Sequence, residues 1–194
     1  GTFDATGGAF TTTGVTTFSA AAGSVNIFSD GDAFHDVVFN DGGGGATFVL
    51  EDALDANNSL TITSGTLDVK AAENNAITVG GNWSNAGTFA ERSGTVTFDG
   101  GSAQTINAGG IGNAAKDFNN LTVSGSSLQL VTSALQVNGT LTIAASKSLD
   151  LNGQNLTAAT LTNPGTLQLE GGETVTITTF DSAQGTVLYD GAAS

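Results

Sequence analysis

Between Leu135 and Leu169 one short phrase recurs: Leu135-Gln-Val137, Leu141-Thr-Ile143, Leu149-Asp-Leu151, Leu156-Thr-Ala158 and Leu167-Gln-Leu169. Each sets two apolar residues around one polar residue, the period-two pattern of a strand with one buried face. Segments such as Asn138-Gly139 and Asn152-Gly153 separate the phrases and supply residues that fit left-handed or tight corners. The pattern extends upstream through Leu60-Thr-Ile62, Leu67-Asp-Val69, Ile77-Thr-Val79 and Gly94-Thr-Val-Thr-Phe98. From Val49 to Asn57, Leu50, Ala53 and Leu54 have helical spacing, but the strand phrases that follow at once favour strands there too. The reading is all-β, with an inward ladder that includes Val137, Ile143, Leu151 and Leu169.

A longer repeat overlies the short one. Phe34-His-Asp-Val-Val38 returns as Phe118-Asn-Asn-Leu-Thr-Val123, Leu60-Thr-Ile62 as Leu141-Thr-Ile143, and Asn85-Ala-Gly-Thr-Phe89 as Asn163-Pro-Gly-Thr-Leu167. Gly94 to Gly100 returns as Gly185 to Gly191, so the offsets run from 78 to 91 residues. This predicts a first β-repeat unit over 1–86, a second over 87–177, and in 178–194 the start of a third or an end rung.

Two architectures could carry such text: a parallel β-solenoid, or tandem immunoglobulin-like β-sandwiches. Sandwich strands are usually longer, and each domain wants its own core aromatic. Here strands of three to five residues follow at six to nine residue spacing, and Trp83 has no counterpart in the second copy. The solenoid accounts for both features.

Asp117-Phe-Asn-Asn-Leu-Thr-Val123, Gly139-Thr-Leu-Thr-Ile143 and Asn163-Pro-Gly-Thr-Leu167 resemble the repeats of large bacterial secreted and surface proteins, the filamentous-haemagglutinin-like and autotransporter-passenger β-helices. The resemblance covers most of the chain from Phe34 onward. It implies an extracellular, cell-surface location and an elongated structural or adhesive role, and it transfers no catalytic residue.

Composition narrows the partners. Charged residues make up only 11% of the 194 residues, and the formal net charge is −14. The four basic residues, Lys70, Arg92, Lys116 and Lys147, are scattered singly, so neither nucleic acid nor an anionic membrane is an expected partner. No apolar run approaches the roughly 18 residues that span a bilayer. Cys is absent, which excludes disulfides and thiolate chemistry, and the absence of Met reads as a processed or excised piece of something longer.

Candidate chemistry is sparse. Asp30-Gly-Asp32 with Asp36 and Asp41 nearby could ligate calcium, the one cofactor the sequence suggests. Trp83, Phe89 and the Gly42 to Gly45 loop are the candidate contacts for a glycan or partner. His35-Asp36 is the one His–carboxylate neighbour pair. It lacks a Gly-x-Ser-x-Gly elbow, and strand neighbours point to opposite faces, so no catalytic residue is assigned and no enzyme is expected. A polysaccharide-degrading β-helix would need paired carboxylates, and Asp68, Asp99 and Asp150 cannot be paired from sequence. Thr-x-Thr triplets at 61–63, 95–97 and 176–178 put two hydroxyls on one face. They do not recur at every rung, and they read as a solvated β-face rather than an ice-binding one. The expectation is a structural module of an extracellular bacterial fibre, filament or surface layer that self-associates end to end, with an adhesin or carbohydrate-binding stalk as the alternative.

Overall fold

The computed structural model describes residues 1–111, 114–180 and 185–191, and none of these is helical. The chain winds as a parallel β-solenoid. Every strand pairing is parallel, and the strands stack into three sheets that form the faces of the coil. Face 1 stacks Thr2–Asp4, Ser24–Phe28, Thr47–Leu50, Thr66–Asp68 and Thr88–Ala90. Face 2 runs through eight strands from Ala33–Phe34 to Val175–Phe180, and face 3 through nine from Val15–Ser19 to Thr186–Tyr189. The sandwich alternative is excluded, because its sheets would be antiparallel.

Partners on face 3 lie 18 to 24 positions apart, the extremes being Leu149 with Leu167 and Gln104 with Leu128. The unit the backbone repeats is therefore a single coil. The longer copies fall on different faces: Leu60–Ile62 belongs to face 3, whereas Leu141–Ile143 pairs within face 2. Sheet pairing crosses 86/87 without a break, since Trp83–Asn85 pairs with Ala103–Asn107, and 177/178 falls inside the strand Val175–Phe180. Positions 181–184 and 192–194 of the closing 178–194 segment lie outside the described residues.

After Thr88–Ala90 the cross-section changes. Phe118 bridges to Val137, and Leu135–Val137, Leu156–Ala158 and Val175–Ile177 carry the line onward as the first halves of strands whose second halves belong to face 2. A bulge between Val137 and Thr140 turns the corner inside one continuous strand, which shortens the later coils. Val49 to Asn57 is strand, corner and strand, as the phrasing around it predicts.

One continuous core fills the coil, and Val137, Ile143, Leu151 and Leu169 all belong to it. The N-terminal end holds an aromatic cluster in which the rings of Phe3, Phe10 and Phe18 each lie 5.3 to 5.9 Å from that of Phe34. At the opposite end the inward side chains of the last coil meet solvent. Phe180, Val187 and Tyr189 are 56%, 49% and 69% exposed.

The outward positions of face 2 form columns. Asp55, Thr78, Thr97, Thr122, Thr142 and Thr162 are successive register partners on six coils. Two residues back along the same strands stand Thr95, Asn120, Thr140, Thr160 and Thr179.

Candidate functional site

Corners, not strands, hold most of the chain's ionisable chemistry. A corner leaves backbone N–H groups without ladder partners, and a carboxylate on an adjoining coil can accept them. Asp52 accepts from Ser29 N at 2.9 Å and Asp30 N at 2.7 Å, and Asp41 accepts from Gly43, Gly45 and Ala46. The Gly42 to Gly45 segment is thus a corner wound around the Asp41 carboxylate, whose hydrogen bonds, led by that of Ser64, hold it below the usual range.

The three proposed calcium ligands are used in the same way, each on its own partner. Asp30 accepts from Gly7 N at 3.2 Å, Asp32 from Phe10 N at 2.6 Å, and Asp36 from Ser59 N at 3.1 Å and Asn58 Nδ2 at 2.9 Å. Among the described residues, no group of three or more His, Cys, Asp or Glu side chains is placed to hold a metal ion. The three carboxylates are thus placed as acceptors for separate corner hydrogen bonds, not gathered around one point. Burial works to raise the Asp36 carboxyl, but its hydrogen bonds together outweigh this and leave it below its ordinary value.

His35 and Asp36 do meet, with Nδ1 and Oδ2 2.8 Å apart. The expectation that they diverge fails because the face 2 strand ends at Phe34 and His35 occupies the corner, where alternation no longer applies.

Trp83 and Phe89 are interior. Both are 1% exposed, and their rings pack with each other and with Phe118 at centroid distances of 5.1 to 5.6 Å. Trp83 occupies the column of Leu60 and Ile106 on face 3, so it is a core residue and cannot meet a glycan from outside. No protein-family model, curated protein or solved structure matches the chain.

One corner gathers groups the sequence does not pair. Lys116 is buried and donates to Asn85 O at 3.1 Å and to Gly87 O, and burial pushes its ammonium below the ordinary lysine value. Beside it in sequence, Asp117 is 3% exposed, with Oδ1 unpartnered. Asn138 Nδ2 lies 3.4 Å from both Asp117 Oδ2 and Glu91 Oε1, so this amide sits between two carboxylates. Burial raises both carboxyls, and the Asp117 charge raises that of Glu91 further.

A carboxyl raised on folding favours the folded state while it is protonated. That contribution is present below its unfolded pKa and is lost as pH climbs through the folded value. Asp117→Asn is therefore expected to raise the melting temperature at pH 7, with the gain shrinking toward pH 4. Thermal melts of both proteins across that range check it, and a gain independent of pH contradicts the burial account.

Proposed function

We propose that this chain is a structural module of an extracellular bacterial fibre, filament or surface layer, a rod segment that stacks end to end on copies of itself. The observation that carries the reading is the asymmetry of the two ends. One holds the cluster of Phe3, Phe10, Phe18 and Phe34, while the other presents Phe180, Val187 and Tyr189 around a cleft lined by Leu167, Leu169 and Val175. Solvent-exposed apolar groups beside free edges of parallel sheets favour a further coil seated on them. The uniform ladder core and the resemblance of its phrases to filamentous-haemagglutinin-like and autotransporter-passenger repeats support the same reading. An adhesin role would need a surface other than Trp83 and Phe89.

Sedimentation velocity over a wide concentration range tests this. The expected result is growth into rods whose length steps by about 40 Å, the height of nine strands at the usual inter-strand spacing. Val187→Lys and Tyr189→Lys should each hold the protein monomeric by placing a charge in the joint. Monomers at every concentration for the unaltered chain overturn the proposal.

A further inference from the structure

The outer surface of face 2 differs from the other two. Its first column is threonine on five consecutive coils, Thr78, Thr97, Thr122, Thr142 and Thr162. Its second has threonine at four of five positions, Thr95, Thr140, Thr160 and Thr179. The exception is Asn120, whose side chain accepts a hydrogen bond from Thr140 N at 3.0 Å. Thr95-Val-Thr97, Thr140-Leu-Thr142 and Thr160-Leu-Thr162 thus lie in register, each with its central residue in the core. Beyond the bulge, Gln136, Thr157 and Thr176 continue the polar surface. Face 1 has one hydroxyl column, Ser24, Thr47, Thr66 and Thr88, beside Asn26, Val49 and Asp68, and face 3 has Ser127, Ser148, Thr166 and Thr186 beside Gln129, Asp150 and Gln168, so each repeats hydroxyls along one column only and neither sets threonine in two directions.

The geometry of this grid is set by the backbone. Hydroxyls recur about every 4.8 Å along the coil axis and about 6.7 Å along each strand, twice the rise per residue. Threonine is β-branched and stiff at χ1, so its hydroxyl and methyl hold fixed positions where serine would sample several. Among the described residues these hydroxyls have no protein hydrogen-bond partner, which leaves them to bind water. The four basic residues all lie off this grid, and its one acidic column member, Asp55, sits at the N-terminal edge. Charged groups would impose their own hydration shells; a neutral lattice of hydroxyls and methyls does not.

We propose that face 2 binds ice. Hexagonal ice repeats its oxygen positions at spacings close to those of the two threonine columns, so water held by the hydroxyls can belong to the protein surface and to the crystal lattice at once. Each contact is weak, but all are fixed before binding, so little ordering cost opposes their simultaneous formation. The Thr61-Ile-Thr63 phrase begins in the face 3 strand Leu60–Ile62 and runs past its end, and it lacks neighbours to extend it, since Thr61 is flanked in register by Val38 and Ser84. Register over several coils, and not the triplet itself, makes the surface.

Slow growth of ice from a dilute solution of the purified chain tests the proposal, with protein measured in the ice and in the remaining liquid. The unaltered protein should be taken into the ice, while an inert globular protein of similar size is excluded. Thr142→Tyr, a bulky side chain at the centre of the grid, should reduce incorporation to the level of that inert protein. Thr61→Tyr on face 3 should leave incorporation unchanged. Circular dichroism melts establish that both variants are folded. Exclusion of the unaltered protein from ice overturns the proposal, as does equal incorporation of Thr142→Tyr. Exclusion from ice together with retention on crystalline cellulose also overturns it and assigns the grid to a periodic polysaccharide.

Discussion

Trp83→Ala is expected to destabilise the solenoid by about 3–5 kcal/mol, the cost of emptying a large aromatic site in a packed core. The indole is 1% exposed, stands between Leu60 and Ile106 in its column, and packs against Phe89 and Phe118. Little of the structure can collapse into the space, because each coil is held by ladder bonds to the coils on either side. Trp83→Phe should restore much of the loss, since Nε1 has no hydrogen-bond partner to forfeit. Urea unfolding of the three proteins gives the comparison directly. A surface glycan contact would behave in the opposite way, with binding lost and stability unchanged. As the chain has a single Trp, its fluorescence adds a second reading: blue-shifted emission shielded from iodide in the folded protein.

The solenoid is legible in the sequence because its signal is local. An apolar-polar-apolar phrase needs only its own residues to specify a short strand, and the inward ladder from Val137 to Leu169 follows from it. What the phrases do not carry is the register between coils. Coil length varies from 18 to 25 residues, so an offset near 80 does not return a phrase to its own face, as Leu60–Ile62 and Leu141–Ile143 show. The same missing register makes Trp83 look solitary, although it continues the column that contains Leu60. It also hides the threonine grid, whose triplets are aligned only once Thr97, Thr122, Thr142 and Thr162 are known to be partners. Corner chemistry is least legible of all. Glu91 and Asn138 are 47 positions apart, and only the winding of the chain brings that amide between Glu91 and Asp117.

Gln104 is the residue whose role most depends on that winding. It is 2% exposed at an inward position of face 3, heading a column continued by Leu128, Leu149 and Leu167. Its Nε2 donates to Val79 O at 2.8 Å and Gly81 O at 2.6 Å, while Oε1 accepts from Gly100 N at 2.9 Å. One amide thereby ties two successive corners together from inside. The corners approach closely enough that a Cβ on Gly100 would stand 2.1 Å from Gly80 O, so glycine is required there and the strands can offer no side chain to replace the glutamine. Gln104→Leu matches the rest of the column in shape and adds buried apolar surface, yet it leaves Gly100 N and Gly81 O without this partner in the interior. Buried orphans of this kind cost about 1–3 kcal/mol each, against a gain of about 1.5–3 kcal/mol for the leucine. With the lost tie between coils, the variant should be less stable by about 2 kcal/mol in urea unfolding. Gln104→Glu separates the hydrogen bonds from the volume. An ionised carboxylate facing two carbonyl oxygens is repelled, whereas the protonated acid can donate to one of them, so folding raises its pKa. Its stability should therefore be lowest at neutral pH and recover as pH falls, while the deficit of Gln104→Leu stays constant across the same range.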